Sequence, residues 1–210
     1  HHKVNRDPTA MAPRLELIEL YRRSRDGERL LYELDAAWRM EPTDEHLPLL
    51  RERAALLSEN VESRSDAVMA WEELLERIPH DVTALSGLQF LYGQQHRYDD
   101  VRQIIAQRLE LESTPDERLA LLREDAILAE LRFGDLDAAF NSWSAAYDML
   151  PEDPEVLEEL IRLSQERGDT RSPVKHGQTW LEKSSPVDDV ELLRRIAHAA
   201  DQEEQQDIAI

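Results

Sequence analysis

The chain has 210 residues and a formal net charge of −20, from 45 acidic and 25 basic side chains, with no cysteine. The missing thiols exclude disulfide frameworks, thiolate metal sites and cysteine nucleophiles. The charge argues against nucleic acid and against an anionic membrane surface, because Arg22, Arg23 and Arg25 are the densest basic cluster and no basic stripe exists.

Hydrophobic residues at 41% and charged residues at 33% describe a globular chain, and the 6 glycines are few enough to favour helix throughout. No apolar run approaches the ~20 residues of a membrane span. Residues 1–8 read as the end of a preceding repeat or, at His1 and His2, as the remnant of a tag. The first helical pair is predicted at 12–24 and 27–40, the second at 45–59 and 64–78. In the second pair Ala67, Trp71, Leu74, Leu75 and Ile78 form one apolar stripe, which Pro79 ends.

A third pair is predicted at 82–94 and 98–111, and a fourth at 116–132 and 135–150. Thr114-Pro115-Asp116-Glu117 has the form of a capping box with proline in the first turn. Leu136, Ala139, Phe140, Trp143, Ala146, Tyr147 and Leu150 then follow the i, i+3, i+4, i+7 rule as far as Pro151. The fifth pair is predicted at 154–167 and 173–183, started by Asp153-Pro154 and Ser172-Pro173, and Gly177 weakens its second helix by about 1 kcal/mol relative to alanine. A lone helix from about 187 to 200, opened at Ser185-Pro186, follows.

Asp44, Asp81, Asp116, Asp153 and Asp188 open these stretches at intervals of 37, 35, 37 and 35. A period in the mid-thirties means stacked units. Units are expected at 9–43, 44–80, 81–115, 116–152 and 153–187, with a partial unit at 188–210. A longer period of 72 overlies the first: Leu47, Leu49, Leu50, Arg51, Ala54, Leu56, Ala67, Trp71 and Pro79 all recur as the same residue type. The array is expected to be an all-α solenoid of about five antiparallel helix pairs with partial units at both ends, read as a segment of a longer array.

These residues resemble the tetratricopeptide repeat family. Gly134-Asp135-Leu136 stands at an inter-helix turn with Ala139, Trp143, Ala146 and Pro151 behind it, and Leu85, Leu88 and Tyr92 match the first helix of unit 3. The family's first-helix glycine is Gln89 in unit 3 and Ile161 in unit 5, and units 2 and 4 carry a residue or two extra. The resemblance implies a right-handed superhelix whose first (A) helices line a concave groove that binds a protein or peptide. One subset of the family clamps a peptide carboxylate with lysine and asparagine on A helices. The lysines here are Lys3, Lys175 and Lys183, and neither Asn60 nor Asn141 sits suitably, so that clamp is not expected.

The A-helix register puts Glu19, Arg22, Arg51, Ser58, Ser86, Phe90, Arg123, Glu130, Glu158 and Arg162 toward the groove. Phe90 is the sharpest candidate, because Leu85, Leu88 and Tyr92 already account for the buried stripe; the alternative is partial burial against the next A helix. Arg51 and Arg123 either hold acidic groups of a partner or pair within the array with Glu52 or Glu124. Trp71 and Trp143 are expected in the core, whereas Trp38 and Trp180 are candidate exposed anchors. Asp44 with His46, and His80 with Asp81, are capping and turn residues rather than metal ligands. No phosphate loop or nucleophile elbow is present, and neither catalysis nor a cofactor is expected.

The function expected is a non-catalytic, bacterial-type scaffold in the cytoplasm, the periplasm being the alternative. Its partner is a protein or peptide, a basic one being compatible with the charge, and not nucleic acid or an inserted membrane. Two other readings stand beside it: a spacer or self-associating rod that stacks through its ends, and the regulatory repeat region of a larger enzyme or signalling protein.

Overall fold

The structure is a computed structural model and describes residues 11–111, 114–169, 171, 175–178, 193–194, 196–198 and 200–201. All regular structure among them is helical. The α-helices are α1 (Met11–Ser24), α2 (Gly27–Met40), α3 (Leu47–Ser58), α4 (Arg64–Arg77), α5 (Val82–Gln94), α6 (Tyr98–Glu110), α7 (Pro115–Phe133), α8 (Leu136–Met149) and α9 (Pro154–Glu166). Two compact units are formed, His1–Leu111 and Glu112–Ile210.

In the first unit each helix packs on the next in chain order, and α3 also packs on α5. Short turns force consecutive helices antiparallel, so α1/α2, α3/α4 and α5/α6 are hairpins stacked side by side with A helix against A helix. In the second unit α7 packs on α8 and α8 on α9. The array is therefore a run of helical hairpins, the α-solenoid that the period predicts.

The ends are set by local chemistry. Asp26, Asp81 and Asp135 cap α2, α5 and α8, each carboxylate accepting from the amide three residues on, at 3.2, 2.9 and 2.9 Å. The capping box at Thr114 forms, with Glu117 N–H donating to Thr114 Oγ1 and Thr114 N–H donating to the Glu117 carboxylate. The recurring aspartates do not all have one role. Asp81 and Asp153 are N-caps, whereas Asp116 lies inside α7 behind Thr114, and Asp44 lies in a short 3₁₀ turn (Asp44–His46) behind Thr43. Asp188 lies outside the described residues.

The extra residues of units 2 and 4 are absorbed differently, although the sequences match at the 72-residue offset. In unit 2 they form 3₁₀ turns at Asp44–His46 and Val61–Ser63, so α3 starts at Leu47 with Pro48 in its first turn. In unit 4 they extend α7 to 19 residues, closed by Gly134 at φ 64°. The left-handed conformation there lets the Asp135 amide reach back to the Ala129 carbonyl at 2.9 Å.

The core follows the predicted stripes. Ile18, Leu34, Leu50, Leu74, Leu85, Leu88, Leu91 and Ile105 are fully buried in the first unit, and Leu157, Leu160 and Ile161 in the second. Trp71 and Trp143 are buried, as expected of core residues. Trp38 is buried too, its indole N–H donating to Glu73 at 2.8 Å, so it is not an exposed anchor. Its hydrophobic face continues the α2 stripe Leu30, Leu34, Ala37, which is why an anchor reading fails. Trp180 lies outside the described residues, as do Ser172-Pro173 and Ser185-Pro186.

Two glycines explain close helix approaches. The family's glycine position holds Gln89, and the close approach is made instead at Gly87, where an added Cβ would lie 2.6 Å from Trp71 Nε1. At Gly177 an added Cβ would lie 2.6 Å from Ile196. Glycine at 177 thus leaves room for the Ile196 side chain.

Candidate functional site

Within each unit the A helices carry the residues assigned to the groove, and the structure divides them sharply. The arginines reach from one hairpin to the next. On α1, Arg22 Nε donates to both oxygens of Glu52 on α3, at 2.8 and 3.0 Å, and its other nitrogens meet Glu52 and Glu19. The hydrogen bond from Glu52 is the largest cause of the raised Arg22 pKa.

Arg51 on α3 donates to Asp81, the N-cap of α5, and in the second unit Arg123 on α7 donates to Asp153, the N-cap of α9, at 2.5 Å. Each pair spans 30 residues, and the two are related by the 72-residue offset. Glu52 and Glu124, the partners that sequence adjacency offered, are not the ones used. Residues i and i+1 on a helix point in different directions, whereas the cap of the next A helix lies directly across the stack. Arg162 closes the set. Its guanidinium grips Glu130 bidentately, at 2.8 and 2.6 Å, and also meets Glu159 and Glu166. These carboxylates, Glu130 first, raise its pKa against the opposing effect of burial.

The arginines named on this face, with Glu19, Glu130 and Ser58, are thus engaged within the chain. Ser58 accepts from the Trp71 indole at 3.0 Å and donates to the Ala54 carbonyl at 2.7 Å. Ser86 and Glu158 are half-buried. Phe90 is the exception: it is 56% exposed, although Gln89, Leu91 and Tyr92 around it are buried. In the second unit Ile127 and Leu131, one turn apart on α7, are 48% and 69% exposed, and Ile127 lies on the stripe of Arg123 and Glu130. The sequence reading missed this pair. In α7 the apolar residues outnumber one helix face, and Leu121, Leu122, Ala126 and Ala129 are the ones turned inward.

A second concavity lies on the B-helix side of the first unit. It is a cleft of about 490 Å³ between α4 and α6, floored by Leu88 and Tyr92 of α5. Glu72 and Glu76 stand on one wall, Asp100 on the other, and Leu75 and Ile104 flank the floor. The Tyr92 hydroxyl donates to Glu72 at 2.8 Å. Burial first, and then that bond, push the Tyr92 phenol up to about 12. Arg97 lies 4.0 Å over the Tyr92 ring and donates to Asp100 at 2.7 Å. No single sequence window holds this cleft, because its walls come from two hairpins.

His46 and His96 act locally, whereas the His176 ring packs on Phe140 and Tyr147. His46 Nδ1 lies 3.0 Å from the Glu41 carbonyl and 3.1 Å from Thr43 Oγ1 in its turn, and His96 Nδ1 lies 2.8 Å from the Tyr98 hydroxyl. Among the described residues no group of three or more histidine, aspartate or glutamate side chains is arranged to hold a metal ion. No helix among them is long and apolar enough to cross a membrane.

No family model and no curated protein matches the sequence. Solved structures do match in fold. YrrB, a tetratricopeptide repeat protein with an unusual peptide-binding site, aligns over 95% of this chain and 96% of its own, with a TM-score of 0.55 at 13% identity. MamA aligns over 84% and 97%, with a TM-score of 0.55 at 10% identity. A tetratricopeptide repeat protein from Parabacteroides merdae aligns over 97% and 77%, with a TM-score of 0.51 at 21% identity. The fold of this chain is that of tetratricopeptide repeat proteins.

Proposed function

We propose that this chain is a non-catalytic scaffold that holds a protein or peptide partner on the face of its A helices. The observation that carries the reading is Phe90, a large aromatic left 56% exposed on a face whose arginines are tied to neighbouring hairpins. An exposed aromatic on a rigid helix is the form of an interface anchor: it adds apolar contact area and loses little conformational freedom. Ile127 and Leu131 supply apolar contact area of the same kind in the second unit.

The arginine ties set the division of labour. Arg22, Arg51, Arg123 and Arg162 hold successive hairpins at a fixed spacing, together with Glu130. Ser86, Phe90 and Glu158 are left to meet a partner. The net charge of −20 favours a partner with a basic surface and speeds its approach. The fold's peptide-binding precedent is YrrB. Binding is tested by Phe90→Ala, which is expected to weaken partner affinity by about 1 kcal/mol or more with unchanged helicity. Unaltered affinity removes Phe90 from the site.

A further inference from the structure

The cleft between α4 and α6 shares no residue with the A-helix face and needs its own account. Its volume of about 490 Å³ falls within the ~300–1,000 Å³ typical of ligand clefts. The floor is apolar where Leu88 and Ile104 close it, and Leu75 forms a half-exposed apolar shoulder. Above that floor stand three carboxylates. Asp100 is already bonded to Arg97, and Glu72 has one oxygen on the Tyr92 hydroxyl. That leaves the Glu76 carboxylate and the second oxygen of Glu72 as acceptors at the mouth. Arg97 lies over the Tyr92 ring and is held by Asp100.

We infer that this cleft is a second docking site, for an extended peptide segment carrying lysine or arginine between apolar residues. A long basic side chain has two parts, an aliphatic stem and a cationic head. The cleft offers a matching pair of surfaces, apolar below and anionic above. A cation entering there trades water for carboxylates on a partly apolar wall, where charge pairs are worth more than at an open surface. An acidic or purely apolar segment finds no such match. The Tyr92 phenol stays protonated through the physiological range, so it remains a donor and holds Glu72 in place.

The test is a titration of the ¹⁵N-labelled 210-residue chain with acetyl-Leu-Lys-Leu-Arg-Leu-Lys-amide, in parallel with a peptide in which each cation is replaced by glutamine. The expected result is saturable shifts confined to the amides of α4, α5 and α6 around Leu75, Tyr92, Gln103 and Gln107, with the glutamine peptide silent. Two variants of exposed residues separate local fit from general charge. Glu76→Lys reverses the charge at the mouth, and Gln103→Trp fills the cleft with no change of charge. Each is expected to weaken the basic peptide about tenfold or more, whereas Phe90→Ala leaves it unchanged. Shifts spread over the whole acidic surface, or a Gln103→Trp chain that binds as the parent does, would overturn the proposal. Equal binding of the glutamine peptide would do the same. None of these outcomes bears on the A-helix face, because the two sites have no residue in common.

Discussion

Gly87→Ala sets two effects of opposite sign against each other. Gly87 is interior to α5, and alanine there is favoured by helix propensity by about 1 kcal/mol. Packing opposes it. The new methyl would lie 2.6, 2.7 and 3.1 Å from three atoms of the Trp71 indole, and the indole has little room to yield. It is 3% exposed and its N–H is held by Ser58 at 3.0 Å. Overpacking of this kind costs about 1–3 kcal/mol, and tilting the ring to escape would also lose a hydrogen bond of about 0.5–1.5 kcal/mol. The net expectation is a destabilisation of roughly 1–2 kcal/mol. Urea unfolding followed by circular dichroism at 222 nm measures it, with Gly93→Ala as the internal control. Gly93 lies on the same helix, nothing would meet its Cβ within 4 Å, and its alanine variant should gain stability. If Gly87→Ala and Gly93→Ala are stabilised alike, the close packing of α4 on α5 through Trp71 is wrong.

Further outcomes can be checked independently. A double-mutant cycle on Arg51 and Asp81 should give a coupling of about 0.5–1 kcal/mol, held low because Arg51 is 39% exposed, and the cycle on Arg123 and Asp153 should give at least as much. Strict additivity in both would contradict the hairpin-to-hairpin ties. Trp38→Ala should cost about 3–5 kcal/mol in a chemical denaturation series, whereas Tyr32→Ala on the same helix, 70% exposed, should stay within about 0.5 kcal/mol. Tyr92 provides a pH test. Its folded pKa, about 12, lies above the usual 10, so its stabilising contribution is complete below pH 10 and is lost as pH rises through 12. Alkaline unfolding curves should therefore be shallower in Tyr92→Phe, and an unchanged curve would refute the assignment.

Fold and site were legible to different depths in the sequence. Helix ends were readable wherever a cap or a proline marked them: Thr114-Pro115, Asp153-Pro154 and Pro79 all act as their chemistry dictates. The 3₁₀ turns at Asp44–His46 and Val61–Ser63 were not, because 72 residues on the first counterpart lies within α7 and the second is the α7 end closed by Gly134. Helical periodicity left Phe90 either on the groove or partly buried against the next A helix, and the structure leaves it 56% exposed. The partners of Arg51 and Arg123 were not legible, since each contact spans 30 residues and depends on how one hairpin sits on the next. Trp38 was legible in part: its place on the α2 stripe with Leu30, Leu34 and Ala37 marks it as buried, whereas its Glu73 partner lies 35 residues away.

The most direct test of the scaffold reading is affinity capture from the source lysate with this chain and its Phe90→Ala variant side by side, at low and high salt, read by mass spectrometry. A partner held by the parent chain through high salt, and lost or strongly depleted with the variant, is the predicted result. Equal retention by the two baits, or no partner in either salt, would contradict binding through the A-helix face.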